Sequence, residues 1–285
     1  MNQTINDLLF EQVATWETAR DNYAALSSVQ EKELKVHGIP YKVQFNPARI
    51  VSSGAKVDAK SIRERKCFLC PDNLPPAQKG ILFGGHYNIL VNPFPIFPRH
   101  LTIPEVAHVP QRIACRFTDM LSLAEALSDF TIFYNGPRCG ASAPDHAHFQ
   151  AGNKGFMPIE KDWRGQIAGK IADYGKAALW YLNDAPRTTL VIESSSKEDT
   201  AALFDIIYRS LDVKPGEERT GTVRSRQMDR IHLPSRKASP RLLHSRGGSQ
   251  SAEQSCIRRL GRRIYHPRRE GFPEDYCRRR GTNPQ

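Results

Sequence analysis

The sequence predicts an α+β fold, an antiparallel sheet with helices packed on it, and three observations carry that prediction. The first is a pair of apolar, strand-like runs at Gly85–Val91 and Leu101–Ile103. The second is an amphipathic helix from Pro110 to Phe130, with Ile113, Phe117, Met120, Leu121, Ala124 and Leu127 along one stripe. The third follows that helix. A strand at Thr131–Tyr134 leads into a loop of small residues, then His146, His148 and Gln150 stand at every second position. On a strand, that alternation puts all three side chains on one face.

In chain order, Ile5, Leu8, Leu9, Val13 and Trp16 recur at helical spacing and predict a packing helix from about Ile5 to Lys35, within residues 1–40. Tyr41–Phe45 alternates as a strand and leads to Asn46-Pro-Ala-Arg49. Arg49 is planar and always charged, which suits a phosphate contact and suits an ordinary surface position equally. Ser52–Lys66 reads as a polar linker, and Gly85–Val91 runs into a proline-broken loop through Asn92, Phe94 and Pro95. Beyond Gln150 a helix is expected at about Ile167–Leu182, a strand at Thr188–Glu193 and a helix at Lys197–Leu211. The domain so outlined spans residues 41–218.

Two stretches carry chemistry. The small residues of Asn135–Ala143 let backbone N–H groups approach an anion closely. An imidazole beside such a loop can attack phosphorus while neighbouring polar groups hold the charged oxygens. Cys67-Phe-Leu-Cys70 offers two thiolates to one tetrahedral metal, although redox motifs share the spacing. A complete site needs two more ligands. No second Cys-x-x-Cys exists, so these would be histidines, with His100 and His108 as candidates.

His146-Ala-His148-Phe-Gln150 resembles the His-x-His-x-Gln signature of the histidine-triad (HIT-like) superfamily. The similarity is to the branch holding galactose-1-phosphate uridylyltransferase, the GDP-hexose phosphorylases and the diadenosine tetraphosphate phosphorylases, and to an uncharacterised bacterial family within it. Ordered motifs share the resemblance from Tyr41 to Gly152, and more loosely to Leu211. It implies a HIT-like sheet, with the chain after Gln150 as the start of a second, related half. It also implies nucleotidyl transfer by double displacement. His148 would attack the α-phosphorus of a nucleoside diphosphate sugar or dinucleoside polyphosphate, and phosphate or a sugar phosphate would take up the nucleotide. Gln150 would hold a non-bridging oxygen. Gly140 and Ser142 would take the other phosphates, with Asn135 supporting their loop and Asn92 contacting the base. The resemblance tilts Arg49 towards phosphate. A structural zinc would be held by Cys67, Cys70, His108 and His146, with His100 as the alternative third ligand. A homodimer is compatible with this reading. Uridylyltransferases carry proline where this chain has Ala147, which weakens the case for UDP-hexose. The competing reading is a zinc-stabilised nucleotide-binding protein with impaired turnover.

The net charge of +11 suggests nucleic acid, but its location argues otherwise. Residues 219–285 hold 17 Lys and Arg against 5 Asp and Glu, leaving 24 against 25 elsewhere. The tail's only aromatics are Tyr265, Phe272 and Tyr276, too few for a nucleic-acid face. No stretch has the apolar length of a membrane span and no basic-then-apolar leader is present, so a cytoplasmic location is expected. From about Arg219 the helix and strand periods vanish. One reading is a disordered basic tail. The other is translation in the wrong frame. Read one base later, synonymous codons for Gln227–Pro240 can give Lys-Trp-Ile-Val-Tyr-Ile-Phe-Pro-Arg-Gly-Lys-His-Arg-Pro, a strand followed by a basic loop. The same exercise on Gly261–Arg279 can give a second strand-like run in the same frame.

Overall fold

The computed structural model describes residues 1–36, 39–49, 57–137, 139–182, 188–211, 222–226 and 230–235, the last two segments by backbone alone. Helices α1 (Asn2–Thr15) and α2 (Glu17–Ala24) open the chain. Trp16 between them is extended, with φ −103° and ψ 108°. The single helix expected to reach Lys35 therefore ends early. Gln30–Val36 lacks the apolar three-and-four repeat of a helix and forms β1, paired antiparallel with β2 (Ile39–Phe45).

Ten further strands make one antiparallel sheet. They are β3 (Gly80–Phe83), β4 (Tyr87–Val91), β5 (His100–Pro104), β6 (Phe130–Asn135), β7 (His148–Asn153), β8 (Ile167–Tyr174), β9 (Ala177–Leu182), β10 (Thr188–Ser194), β11 (Thr222–Arg226) and β12 (Arg230–Ser235). Their order is β3-β4-β5-β7-β6-β11-β12-β10-β9-β8. One face carries the main core: Leu101 and Ile103 of β5, Ile132 and Tyr134 of β6, Phe149 and Ala151 of β7, Leu190 and Ile192 of β10. Helices α3 (Phe117–Ala126) and α4 (Lys197–Ser210) complete that core, with Phe117 stacked on Phe204. Because strand side chains alternate, the other face of β7 presents His148, Gln150 and Gly152.

The expected α+β architecture is present, with local corrections. The helix foreseen from Pro110 begins only at Phe117, because residues before it pair with the loop ahead of β7: Val109 O accepts from Ala147 N at 2.7 Å. Ile167–Leu182 is not a helix. It is the β8–β9 hairpin, turned at Gly175, whose φ of 56° suits a residue without Cβ. Strand β3 was not foreseen.

The tail is the largest correction. Strands stand where neither period was visible: β11 pairs with β6, and β12 with β10, in the middle of the sheet. Neither has the composition of an inner strand. Thr-Val-Arg-Ser-Arg and Arg-Ile-His-Leu-Pro-Ser are polar, and Pro234, opposite Thr189, has no N–H to donate to a ladder. The one-base-shifted decoding puts Trp-Ile-Val-Tyr-Ile-Phe at positions 228–233, which gives the first four residues of β12 inner-strand composition, while it keeps proline at 234 and leaves β11 as it is. The coding DNA is therefore expected to hold an open shifted frame through Gln227–Pro240, and stop codons there would dispose of the idea. The second shifted segment, Gly261–Arg279, lies outside the described residues.

Candidate active site

His148 opens β7 opposite Pro104. Its main chain is held by the side chain of Gln111, which is 1% exposed. Gln111 Oε1 accepts from His148 N at 2.7 Å, while its Nε2 donates to the carbonyls of His148 and Asn135, each at 3.0 Å. One amide thus joins the ends of β6 and β7 where the loop 136–147 parts them. Gln111 falls within the helix that the spacing predicts from Pro110, and its role is not legible there, since a buried amide serving distant main-chain groups leaves no period.

The His148 ring lies 2.8 Å through Nδ1 from the His146 carbonyl. A carbonyl only accepts, so Nδ1 carries the proton and Nε2 keeps its lone pair. Burial pushes the pKa down to about 4, against the opposing effect of that hydrogen bond. The ring is neutral at pH 7 and free to act as a nucleophile.

Gln150 stands between Thr102 of β5 and Phe133 of β6. Its Oε1 is 3.0 Å from His100 Nε2. His100 is fully buried, its Nδ1 accepting from Ile96 N at 3.1 Å. Both ring nitrogens are therefore committed, Nε2 to Gln150 and Nδ1 to Ile96, and His100 is not among the residues that converge as metal donors. Beside it, Gly152 leaves room for Phe97, whose ring would lie 2.6 Å from an added Cβ.

Four donors do converge: the ligand atoms of Cys67, Cys70, His108 and His146 all lie within 4.8 Å of one another. Cys67 Sγ is 3.3 Å from His146 Nδ1, and Cys70 Sγ is 3.2 Å from His108 Nδ1. Tetrahedral bonds to sulfur and nitrogen would separate such donors by roughly 3.5 Å. The set fits a metal ion. His146 Nε2 donates to the Glu105 carbonyl at 2.7 Å, which leaves Nδ1 as its ligand atom. The alternation expected over three residues holds for two only, since His146 precedes the strand and turns to the cysteines. A brace missed in the polar linker supports the loop: Arg65 Nη2 donates to Asp145 Oδ1 at 3.0 Å and to the Ser142 carbonyl at 3.1 Å.

Gly140 is exposed at φ 93° and Ser142 is exposed in the same loop. Asn135 ends β6, its carbonyl held by Gln111. Arg49 is half-buried, and its charge adds to burial in disfavouring protonation of His100. Asn92 spends its amide on its own loop and on β5, accepting from Phe94 N and donating to Thr102 Oγ1, each at 2.8 Å.

Burial sets an acid limit. Folding lowers the pKa of His148 to about 4 and of His100 to about 3, from an ordinary 6.5. Below pH 6.5 the unfolded chain takes up protons that the folded chain refuses, so stability falls as pH drops from about 6.5 towards those folded values. Two such groups remove about 4 kcal/mol between pH 7 and pH 5. Urea midpoints should show that loss, with the slope reduced by about half in His148→Asn. A slope unchanged by the substitution would contradict the assignment.

Residues 8–153, ending with β7, match a family model described as a domain of unknown function (DUF4922). No curated protein matches the chain. Among solved structures, yeast Ap4A phosphorylase is similar at 16% identity and a TM-score of 0.51, covering 78% of this chain and 81% of that one. A uridylyltransferase mutant is similar at 12% identity and a TM-score of 0.50, covering 85% of this chain and 100% of that one. The chain shares their HIT-like α+β fold. Among the described residues no helix is long and apolar enough to cross a membrane.

Proposed function

The chain belongs to the DUF4922 family, and from that premise we propose that it is a nucleotidyltransferase or phosphorylase working through a covalent nucleotidyl-histidine at His148. One observation carries the proposal: a neutral imidazole with its Nδ1 proton held by the His146 carbonyl and its Nε2 lone pair free, on the same strand face as Gln150.

In the first displacement His148 Nε2 forms a bond to the α-phosphorus, and the bond to the leaving phosphate oxygen breaks with its electron pair. The ring retains its Nδ1 proton, and the His146 carbonyl favours the positive charge the ring acquires. In the second, an oxygen of phosphate or a sugar phosphate attacks phosphorus, and the electron pair returns to Nε2. Gln150 holds a non-bridging oxygen, Gly140 and Ser142 meet further phosphate oxygens through their loop, and Arg49 adds positive charge. Asn92 shapes the neighbouring loop, since its amide is already used. Zinc is the metal that two cysteines and two histidines suit best. Cys67, Cys70, His108 and His146 would hold it, where it would supply structure and help keep the His146 carbonyl where His148 needs it.

The names of the fold relatives, an Ap4A phosphorylase and a uridylyltransferase, support a nucleotide donor, and the reading takes it to be a dinucleoside polyphosphate or a nucleoside diphosphate sugar. The test is intact mass after brief incubation with GDP-, UDP- and ADP-hexoses and with diadenosine tetraphosphate. A gain of one nucleoside monophosphate is expected and names the base. No adduct with any donor would remove the proposal and favour a nucleotide-binding protein with impaired turnover, a reading that the poor composition of β11 and β12 already supports.

A further inference from the structure

We infer that His100 is a positioning residue that fixes which end of the Gln150 amide meets the ligand, and so commits the site to an acceptor such as a deprotonated phosphoryl oxygen. The inference rests on the proposal that Gln150 contacts phosphate.

A glutamine amide has a donor end and an acceptor end of nearly the same shape. Left free, Gln150 could offer its carbonyl to a phosphate oxygen, and two acceptors repel. The structure removes that freedom through a chain of obligations starting at the main chain. The N–H of Ile96 can only donate, and it points at His100 Nδ1 from 3.1 Å. Nδ1 must then be the unprotonated nitrogen, so in the neutral ring Nε2 carries the hydrogen. Nε2 faces the Gln150 amide at 3.0 Å, and the atom it meets must be the acceptor, Oε1. The NH2 end is left for the ligand. None of these steps depends on telling nitrogen from oxygen by shape.

The ring has no room to change roles. It is fully buried, with Phe97 packed edge-on at 5.1 Å and Phe133 stacked at 6.3 Å between centroids. The His100 carbonyl accepts from Tyr23 Oη at 3.1 Å, which holds the start of β5 as well. A protonated ring would set an Nδ1–H against the Ile96 N–H. Burial keeps the pKa at about 3, so that state is absent near neutral pH. A ligand bringing a hydrogen-bond donor to this position meets another donor and is rejected.

Two measurements on the full chain test this. Nitrogen-detected NMR of the His100 ring at pH 7 should show the proton on Nε2. A proton on Nδ1, or an imidazolium, would overturn the inference whether or not a ligand binds. The second is a double-mutant cycle on dissociation constants, using whichever of AMP, GMP and UMP binds the wild type most tightly. Gln150→Ala and His100→Leu should each weaken binding roughly tenfold. The double variant should be no weaker than Gln150→Ala, because His100 acts only through Gln150. His100→Gln, which offers an amide N–H near the Nε2 position, should recover most of the loss and guards against a variant that merely misfolds. Losses that multiply in the double variant would overturn the inference. If Gln150→Ala leaves binding unchanged, or no nucleotide binds, the phosphate reading fails instead, and the tautomer still decides the lock.

Discussion

His148→Ala should carry no nucleotide adduct and should turn over at least about a thousandfold more slowly than the wild type. Nucleotide affinity should change by less than about threefold, since the proposal gives phosphate contacts to Gln150, Arg49 and the loop. The comparison that isolates the nucleophile is His148→Asn. An asparagine can still donate to the His146 carbonyl, so it keeps the local hydrogen bond that the imidazole makes at 2.8 Å, yet it has no lone pair able to attack phosphorus. Both variants should therefore bind and both should fail to react. Binding, turnover and intact mass can be read on the same preparations. An adduct that persists in either variant would move the chemistry to another residue.

The second large effect concerns the metal. A stoichiometric metal ion, removable by chelation, is expected on Cys67, Cys70, His108 and His146. Zinc sites contribute on the order of 10 kcal/mol in small domains. Even a third of that, at about 3 °C per kcal/mol for a chain of this size, lowers Tm by about 10 °C. Burial, with the neighbouring Cys67 second, raises the Cys70 thiol to about 11 in the metal-free site, so binding there releases protons and tightens as pH rises. Cys67→Ser should lose the metal and most of the same stability. Metal analysis and melting curves with and without chelator check both statements. A chain that holds no metal and melts alike in both would rule the site out.

What the sequence disclosed is what local spacing records. The two cysteines have two residues between them, His148 and Gln150 share a strand face, and the apolar runs of β4, β5 and β6 bracket the helix that packs on them. The distant partners were not legible. Gln111 acts on groups 24 and 37 residues away. His100 met the eye as a metal ligand because its type suited the role, while its commitment to Gln150 depends on a pairing between β5 and β7 that no single run encodes. Ile167–Leu182 failed for another reason. Its apolar residues suit either period, and only the turn at Gly175 and the pairing with β10 decide between helix and hairpin.

The place of β11 and β12 has a consequence for handling the protein. Along the hydrogen-bonded sheet, among the described residues, they alone join the five strands around His148 to the three beyond. Were that pair to come away, β6 and β10 would each expose a row of unpaired amides and carbonyls, flanked by apolar side chains. Such open borders template the addition of further strands, and another molecule in the same condition is the nearest supplier. Inclusion bodies during expression would be the outward sign, and their formation should track this one junction more closely than anything at the active site.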